Sequence, residues 1–380
     1  MKNDAVKGFR DFTGDEAVKR AEIKKIIVDT FEKFGFEPAE TPVIENEEFV
    51  KGDNKNDEAV SDIYKLQDKR KRELALRYEF TFQLKRLMKN KKLPYRRYQI
   101  GEVFRDEPAG ANRFRQITQC DADVVGATIK EEAEILALAN EIFNKLKIKK
   151  VIYVGSRKIL NEIFEEQKIS ATAKEQVMRE IDKIDKLPEK EIRANLKKFG
   201  AGKLIDIFKK PESYFKKYNS YKEIEELKKY CGYFSIDIKF SPSLVRGLSY
   251  YNGTVFEIKS ADKKNKETIA GGGVYSAGEV QAVGIAFGLE RISTLADLDF
   301  KKDKYLVISL NQDKEAVKLS QKLRQQNKIA SLYYGKPSKA LEYANSCDFQ
   351  RVIFIGEKEV REKKLKVKDM KTGRESLLKI

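Results

Sequence analysis

The chain has 380 residues, 36% of them charged and 41% hydrophobic, which provides apolar side chains for two or three domain cores. Its net charge of +17 indicates a polyanionic partner such as RNA, unless it only reflects a lysine-rich composition. Histidine is absent, which excludes a histidine general base, a Ser-His-Asp triad and metal sites built on imidazole.

Cysteine spacing and hydropathy narrow the class of protein further. The three cysteines lie far apart, so neither a disulfide framework nor a zinc knuckle is expected. No apolar run approaches 18 residues, and the first residues lack a signal-peptide core. We therefore expect a cytoplasmic protein with no membrane segment and no metal-ligating residues.

The first 90 residues begin with a helix and then a strand. Apolar side chains recur at helical spacing from 15 to 34, and Gly35 ends that helix. An extended stretch containing Pro42 follows, and residues 53–71 are polar enough for a loop or a short hairpin. The segment LALRYEFT, residues 74–81, leads into an amphipathic helix over 82–90.

Residues 98–125 predict a β-hairpin, with strands over 98–105 and 113–125 and a turn that contains Pro108 and Gly110. Arginines flank the turn, where forked hydrogen bonds suit a polyphosphate. Gln119 and Asp123 are four residues apart and therefore share one face of the second strand. A surface hairpin with scattered charges explains the same stretch equally well.

The sequence after the hairpin predicts a mostly helical region, a second region of strands and a C-terminal α/β domain. Residues 130–146 form a helix, 149–155 a strand, and 157–237 are mostly helical and heavily charged. Strands follow over 240–259 and 281–287, around a glycine run at 270–273, and a helix then opens at 288. Residues 301–380 predict an α/β domain with 20 lysines and arginines against 10 acidic residues, which favours nucleic-acid binding there.

Four stretches together resemble one enzyme family. FRDEPAGANRFRQITQCDADVVG resembles motif 2 of the class II aminoacyl-tRNA synthetases, and LVRGLSYYNGTVFE resembles the histidine-specific motif of their histidyl branch. AVGIAFGLERI resembles motif 3, and GFEPAETPVIENEEF resembles motif 1. Several motifs in the right order are more specific than any one of them.

The resemblance to the histidyl-tRNA synthetases implies an α+β fold. Its parts are a class II antiparallel β-sheet flanked by helices, a helical insertion and a C-terminal α/β domain of the anticodon-binding type. The implied boundaries are 1–155 and 238–300 for the catalytic domain, 156–237 for the insertion and 301–380 for the C-terminal domain. The family activates histidine with ATP, with Mg²⁺ on the phosphates, and transfers it to tRNA-His as a homodimer.

The resemblance also assigns roles to an ATP site. By the family pattern, Arg105 contacts the α-phosphate and Glu107 completes the same motif. Arg113 and Arg291 hold the distal phosphates. Arg246 lies between the α-phosphate and the substrate carboxylate, so Arg105 and Arg246 are the expected catalytic residues.

A histidine pocket is implied next to that ATP site. Glu79, Thr81 and Gln119 would hold the ammonium group of the substrate. Asp123 would accept a hydrogen bond from the imidazole, with Tyr251 beside the ring and Tyr250 next to it. Arg246 would close the pocket at the substrate carboxylate.

Two departures from the family pattern keep other functions open. Val274 stands where the family has an arginine, and Ile117 stands where it has an aromatic residue that stacks on adenine. A non-catalytic paralogue, such as a regulatory subunit of ATP phosphoribosyltransferase, is one alternative. An RNA-binding protein that has lost catalysis is the other.

Overall fold

The computed structural model describes residues 4–52, 60, 62–110, 114–245, 250–262, 267–298, 303–362 and 364–378. The chain divides into two compact units, Met1–Leu298 and Asp299–Ile380. The finer four-part division, with an insertion at 156–237, stays a prediction.

The strands and helices of the described residues are numbered separately in chain order. The strands are β1 (Glu37–Pro38), β2 (Ile44–Asn46), β3 (Lys65–Gln67), β4 (Glu73–Leu76), β5 (Tyr95–Phe104), β6 (Gln116–Val125), β7 (Lys150–Ser156), β8 (Lys239–Phe240), β9 (Tyr251–Ser260), β10 (Thr268–Ala277), β11 (Val280–Gly288), β12 (Lys304–Ser309), β13 (Ile329–Tyr334), β14 (Arg351–Ile355), β15 (Lys366–Asp369) and β16 (Glu375–Leu377). The helices are α1 (Gly14–Lys33), α2 (Glu47–Lys51), α3 (Thr81–Leu87), α4 (Ile129–Lys145), α5 (Arg157–Glu166), α6 (Lys174–Ile181), α7 (Glu189–Lys197), α8 (Leu204–Phe208), α9 (Glu212–Phe215), α10 (Tyr221–Tyr233), α11 (Leu289–Leu295), α12 (Asp313–Gln325), α13 (Pro337–Ser346) and α14 (Glu357–Glu362).

The larger unit is organised around an eight-stranded sheet in the order β1-β5-β6-β11-β10-β9-β7-β8. Its six central strands pair antiparallel, whereas β1 and β8 add parallel at the two edges. The predicted hairpin is the pair β5 and β6, although its first strand begins at Tyr95 rather than at residue 98. This sheet and its flanking helices confirm the predicted α+β class II fold.

Two long helices pack against this sheet by apolar stripes. In α1, Ile23, Ile27 and Phe31 recur every four residues and are fully buried, so they form one face. Helix α4 begins with a capping box in which Thr128 and Glu131 satisfy each other's backbone N–H groups. These two helices contact each other as well as the sheet, which fixes the strands from one side.

A small antiparallel sheet, β2-β4-β3, lies outside the main one. Its register places Ile44 beside Leu76 and Leu66 beside Leu74. The inner face carries the buried Ala75, whereas Ile44 and Leu66 are half exposed on the outer face. Ile44 and Leu66 thus form an exposed apolar surface, which is called the outer face of the small sheet below.

Residues 157–233 fold into helices α5 to α10, which agrees with the mostly helical structure predicted for 157–237. An ion pair connects this segment to the main sheet, from Asp185 Oδ2 to Lys259 Nζ on β9 at 2.6 Å. Helix α10 also packs along α4. The helical segment is therefore attached to the same body as the sheet.

The C-terminal unit contains a five-stranded sheet in the order β13-β12-β14-β15-β16. Strands β13, β12 and β14 are parallel, and β15 and β16 complete the sheet antiparallel. Helix α12 buries Leu319 and Leu323 against one face, and α13 buries Ala340 and Ala344 against the other. The sequence predicted this α/β domain, but it did not predict α14 or β16.

Glu132 is the most consequential buried charge outside the centre of the sheet. It lies on α4, is 4% exposed, and accepts a hydrogen bond from the Thr254 hydroxyl on β9. Burial raises its pKa from 4.5 to about 7, although the Thr254 hydrogen bond opposes the shift. The carboxyl group is therefore more readily protonated in the folded protein than in the unfolded chain.

This raised pKa predicts a stability change with pH. Between about pH 4.5 and pH 7 the folded state holds a proton that the unfolded state has lost, so folding stability falls as pH rises through that window. Each unit of pKa shift corresponds to about 1.4 kcal/mol. We expect Glu132→Gln to remove about 3 kcal/mol of this pH dependence, measured as free energies of unfolding in urea at pH 5 and pH 8. Glu141→Gln, on the exposed side of the same helix, is the control and should keep the wild-type dependence.

Candidate active site

A cavity of about 450 Å³ opens on one face of the main sheet. Its lining includes all the predicted site residues that the structure describes, namely Glu79, Thr81, Arg105, Glu107, Gln119, Asp123, Tyr250, Tyr251 and Arg291. Residues distant in sequence, from α3, β6, β9, α11 and the segment that follows β5, therefore meet at one place. The two other predicted residues, Arg113 and Arg246, lie outside the described residues.

The floor of the cavity is the inward face of β6. Alternation along the strand places Gln119, Asp121 and Asp123 on that face, and all three are buried. On the neighbouring strand β11, the residues directly opposite are Gly288, Ala286 and Gly284. Because these partners are small, space remains above the polar side chains for a ligand.

Asp123 forms the most deeply buried ion pair of the site. Its Oδ2 lies 2.9 Å from Nη2 of Arg97, which is directly opposite on β5 and fully buried. Its Oδ1 accepts a hydrogen bond from the hydroxyl of Tyr275 on β10. Burial raises the pKa of Asp123, whereas Arg97 and Tyr275 act in the opposite direction.

Gln119 links the floor to the arginine side of the cavity. Its Nε2 donates to Asp121 Oδ2 at 2.8 Å, and its Oε1 accepts from Arg105 Nη2 at 3.4 Å. Burial and the charge of Asp123 raise the pKa of Asp121 well above its ordinary value. The sequence analysis missed Asp121, although the alternation that pairs Gln119 with Asp123 also places residue 121 on the same face.

Aromatic side chains and Glu79 enclose the end of the cavity near Asp123. The Tyr250 hydroxyl donates to Glu79 Oε2 at 3.2 Å, and burial raises the Tyr250 pKa. The Tyr250 ring lies 4.7 Å from the Tyr251 ring and 5.6 Å from the Tyr275 ring, measured between centroids. Together these groups form an acidic pocket with aromatic walls, suited to a small ligand that carries N–H donors.

The other end of the cavity is basic. Arg105 Nε donates to the backbone oxygen of Tyr78 at 3.3 Å, and Arg291 Nη1 donates to the Thr268 backbone oxygen at 2.8 Å. Lys186 lines the same cavity, brought there by the helical segment between α6 and α7. Cationic side chains on several elements suit an anionic ligand such as a polyphosphate.

Glu290 is a further lining residue that the sequence analysis did not single out. Its Oε1 accepts from Arg20 Nη2 at 2.9 Å and from the Thr118 backbone N–H at 3.1 Å. Its Oε2 is buried and has no hydrogen-bond partner among the described residues. The only available signal was its position directly before Arg291 in the motif.

Two further observations bear on the predicted absence of metal ligands and of membrane segments. Within the described ranges, no cluster of three or more acidic or cysteine side chains has the arrangement of a metal site. Over those same ranges, the helices lack the length and apolar character that a bilayer crossing requires.

Gly284 on β11 packs tightly against Asp123, and this contact predicts the effect of a larger residue at position 284 on stability. A Cβ at Gly284 would lie 2.0 Å from Asp123 Oδ1, inside van der Waals contact with a group fixed by Arg97 and Tyr275. We expect Gly284→Ala to disrupt this ion pair and to destabilise the protein by about 3 kcal/mol or more, visible as a lower thermal unfolding midpoint.

The matched control for this variant is Gly232→Ala. An added Cβ at Gly232, in helix α10, meets no atom within 4 Å, and alanine favours a helix more than glycine does. The control should unfold at the wild-type temperature or above it. A Gly284→Ala protein as stable as this control would contradict the described packing at Asp123.

Comparisons with known proteins agree with this geometry. The family model for histidyl-tRNA synthetase matches residues 8–292, and that for the anticodon binding domain matches residues 304–380. The chain is 33% identical to histidine–tRNA ligase 1 of Bacillus cereus, over 97% of this chain and 96% of the relative. It also superposes on the crystal structure of histidyl-tRNA synthetase from Nostoc sp. with a TM-score of 0.86 and 25% identity, covering 100% of this chain and 97% of that one.

A second solved structure concerns the non-catalytic alternative. An ATP phosphoribosyltransferase regulatory subunit/histidyl-tRNA synthetase from Bacillus halodurans superposes with a TM-score of 0.78, covering 93% of this chain and 98% of that one. At 19% identity this likeness shows the fold alone. The full-length match to the Bacillus cereus ligase, the two family models and the residues around the cavity agree on one conclusion, which is that the chain belongs to the histidyl-tRNA synthetase family.

Proposed function

We propose that the chain is a histidine–tRNA ligase, an aminoacyl-tRNA ligase that joins histidine to tRNA-His at the expense of ATP. The observation that supports this most is the cavity itself. Its acidic, aromatic end is suited to histidine and its basic end to the phosphates of ATP. The full-length relatives are named for the same activity.

In the first step, the substrate carboxylate attacks the α-phosphorus of ATP and pyrophosphate leaves. Both reactants are anions, so the protein has to align them and neutralise the charge that they bring together. Arg105 is suited to the α-phosphate because it directly follows β5 and its side chain reaches the cavity floor at Gln119. Arg291 is suited to the distal phosphates, and by the family pattern Arg113 and Arg246 complete the cationic set.

Mg²⁺ fits the same end of the cavity as the counter-ion of the ATP phosphates. Mg²⁺ prefers carboxylate and phosphate oxygens and keeps several waters. Glu290 supports this assignment, since its Oε2 is buried among the lining residues without a hydrogen-bond partner in the described part of the chain. Glu107 adds a second carboxylate. The ion would offset the charge on the β- and γ-phosphates.

The acidic end would hold histidine. Glu79, Thr81 and Gln119 are suited to the ammonium group because all three line the cavity and carry a carboxylate, a hydroxyl and an amide oxygen that can accept from it. Asp123, held by Arg97 and Tyr275, keeps lone pairs that can accept from an imidazole N–H. Sites built on buried hydrogen bonds reject ligands that lack the matching group by factors of about 10⁴.

The Tyr250 and Tyr251 rings form the wall of this pocket on the side of β9. Tyr250 also donates to Glu79, so the wall and the proposed ammonium site are connected by a hydrogen bond. A planar imidazole packs favourably against such rings. We assign both tyrosines to histidine binding.

We further propose that the protein is a cytoplasmic homodimer. The outer face of the small sheet supports a second copy as its partner, because Ile44 is 50% exposed and Leu66 is 39% exposed there. Ile44 belongs to the motif 1 region, which builds the subunit interface in class II synthetases, and Leu66 lies on β3 at the other edge of the same sheet. The three free cysteines suit a reducing compartment, where tRNA charging takes place.

Adenylate formation is tested by ATP–pyrophosphate exchange, which needs no tRNA. We expect exchange to depend on histidine and not on other amino acids. Arg105→Ala should lower the exchange rate by about 100-fold or more, since it removes charge neutralisation at the reacting phosphate. Arg193→Ala is the matched control, because Arg193 pairs with Asp206 and Glu189 in the helical segment. Exchange that proceeds without histidine would reject the assignment.

The C-terminal unit is proposed to bind the anticodon of tRNA-His. Residues 301–380 are strongly basic and fold as a separate unit. Deleting them should lower kcat/KM for tRNA by about tenfold or more, because binding to a phosphate backbone depends on cationic side chains. Histidine-dependent exchange by the shortened protein is the internal control and should persist. Unchanged charging at physiological salt would show that the anticodon is read elsewhere or not at all.

A further inference from the structure

Asp121 is a cavity residue to which the family pattern gave no role in the sequence analysis. It lies between Gln119 and Asp123 on the inward face of β6, lines the cavity, and is 4% exposed. It is therefore placed within the proposed histidine pocket, next to the two residues of β6 already assigned to the substrate.

One oxygen of Asp121 has a partner and the other does not. Oδ2 accepts from Gln119 Nε2 at 2.8 Å, whereas Oδ1 is buried without a hydrogen bond from any described residue. Gln99, directly opposite on β5, donates its amide to Thr41 at 2.7 Å instead. Asp121 Oδ1 is therefore an oriented hydrogen-bond acceptor at the floor of the cavity, and no described protein group donates to it.

Such an acceptor is costly in the absence of a ligand. A buried polar atom without a hydrogen bond destabilises a protein by about 1–3 kcal/mol, and more when it is charged. Buried polar groups are therefore nearly always satisfied, and an exception in a binding cavity suggests that a ligand supplies the missing donor. Asp123 differs in its neighbours: its Oδ1 accepts from Tyr275, and its Oδ2, which also forms no hydrogen bond with the described residues, lies 2.9 Å from the Arg97 guanidinium as an ion pair.

The surrounding charges decide what kind of donor fits. Glu79, Asp121 and Asp123 are acidic groups at this end of the cavity, and Arg97 is the buried cation beside them. The excess of carboxylates disfavours a phosphate and favours a ligand with N–H donors and positive charge. Histidine brings an ammonium group and a ring that carries one N–H when neutral and two, with a positive charge, when protonated, which matches both requirements.

We propose that Asp121 Oδ1 accepts a hydrogen bond from a ring N–H of the substrate histidine, which makes Asp121 a specificity-determining residue. Its other oxygen orients the Gln119 amide, so that the Gln119 oxygen stays on the side of Arg105. Asp121 thus connects recognition of the ring to the arrangement of the reacting end. This inference rests on the proposed histidine pocket.

The test compares histidine with its two thiazole analogues, in which a sulfur atom replaces one or the other ring N–H. Affinities are measured as inhibition or Michaelis constants in pyrophosphate exchange. In Asp121→Asn, the amide oxygen can still accept from Gln119, but an NH₂ group faces the ring and cannot accept from it. We expect the preference for histidine over at least one analogue to fall about tenfold or more.

This ratio separates ring recognition from a merely structural role. If Asp121 only positioned Gln119 at the ammonium group, affinity for histidine and for both analogues would fall equally and the ratio would not change. Glu132→Gln makes the same carboxylate-to-amide change at a buried site outside the cavity and should keep the wild-type ratio. Asp121→Ala, which removes the acceptor altogether, provides a second variant should the asparagine variant not fold.

The outcomes distinguish this inference from the proposed function. Histidine-independent exchange by the wild-type protein would overturn the proposed function and, with it, the role of Asp121. Histidine-dependent exchange together with an unchanged ratio in the Asp121 variants would overturn only the role of Asp121. A reduced ratio in either variant, with the wild-type ratio in Glu132→Gln, would support it.

Discussion

The buried pair of Arg97 and Asp123 is the constraint on which the site depends. The two residues face each other on neighbouring strands, both almost fully buried, with 2.9 Å between Nη2 and Oδ2. Removing one partner of such a pair leaves an uncompensated charge and costs about 3–5 kcal/mol. The pair therefore fixes the register of β5 against β6, and with it every side chain that β6 presents to the cavity.

Small residues on the next strand make that constraint compatible with a cavity. Gly284 lies so close to Asp123 that no larger residue fits, and Ala286 and Gly288 continue the pattern along β11. The sheet thus provides a polar row on β6 and an open row on β11. A rigid central sheet holds binding groups more precisely than loops do, and this suits an enzyme that has to align two anions.

The two ends of the cavity carry opposite charge, one acidic and the other basic. Carboxylates and tyrosines surround one end, and arginines with Lys186 surround the other. Gln119 lies between them and contacts both, through Asp121 on one side and Arg105 on the other. A substrate with a cationic head and a reactive carboxylate would therefore be oriented by electrostatics before any specific contact forms.

Sequence patterns alone predicted the class of fold, the order of the main elements and nine residues of the cavity lining, because helical and strand periodicities are local and the motifs are contiguous. The alternation that groups Gln119 with Asp123 also includes Asp121, so the sequence contains the signal for this residue. Only the tertiary structure decided the rest. Asp123 on β6 contacts Arg97 from β5 and Tyr275 from β10. Lys186 of the helical segment also lines the cavity. These contacts join residues far apart in the chain, and one sequence contains no local pattern that reports which distant strands become neighbours.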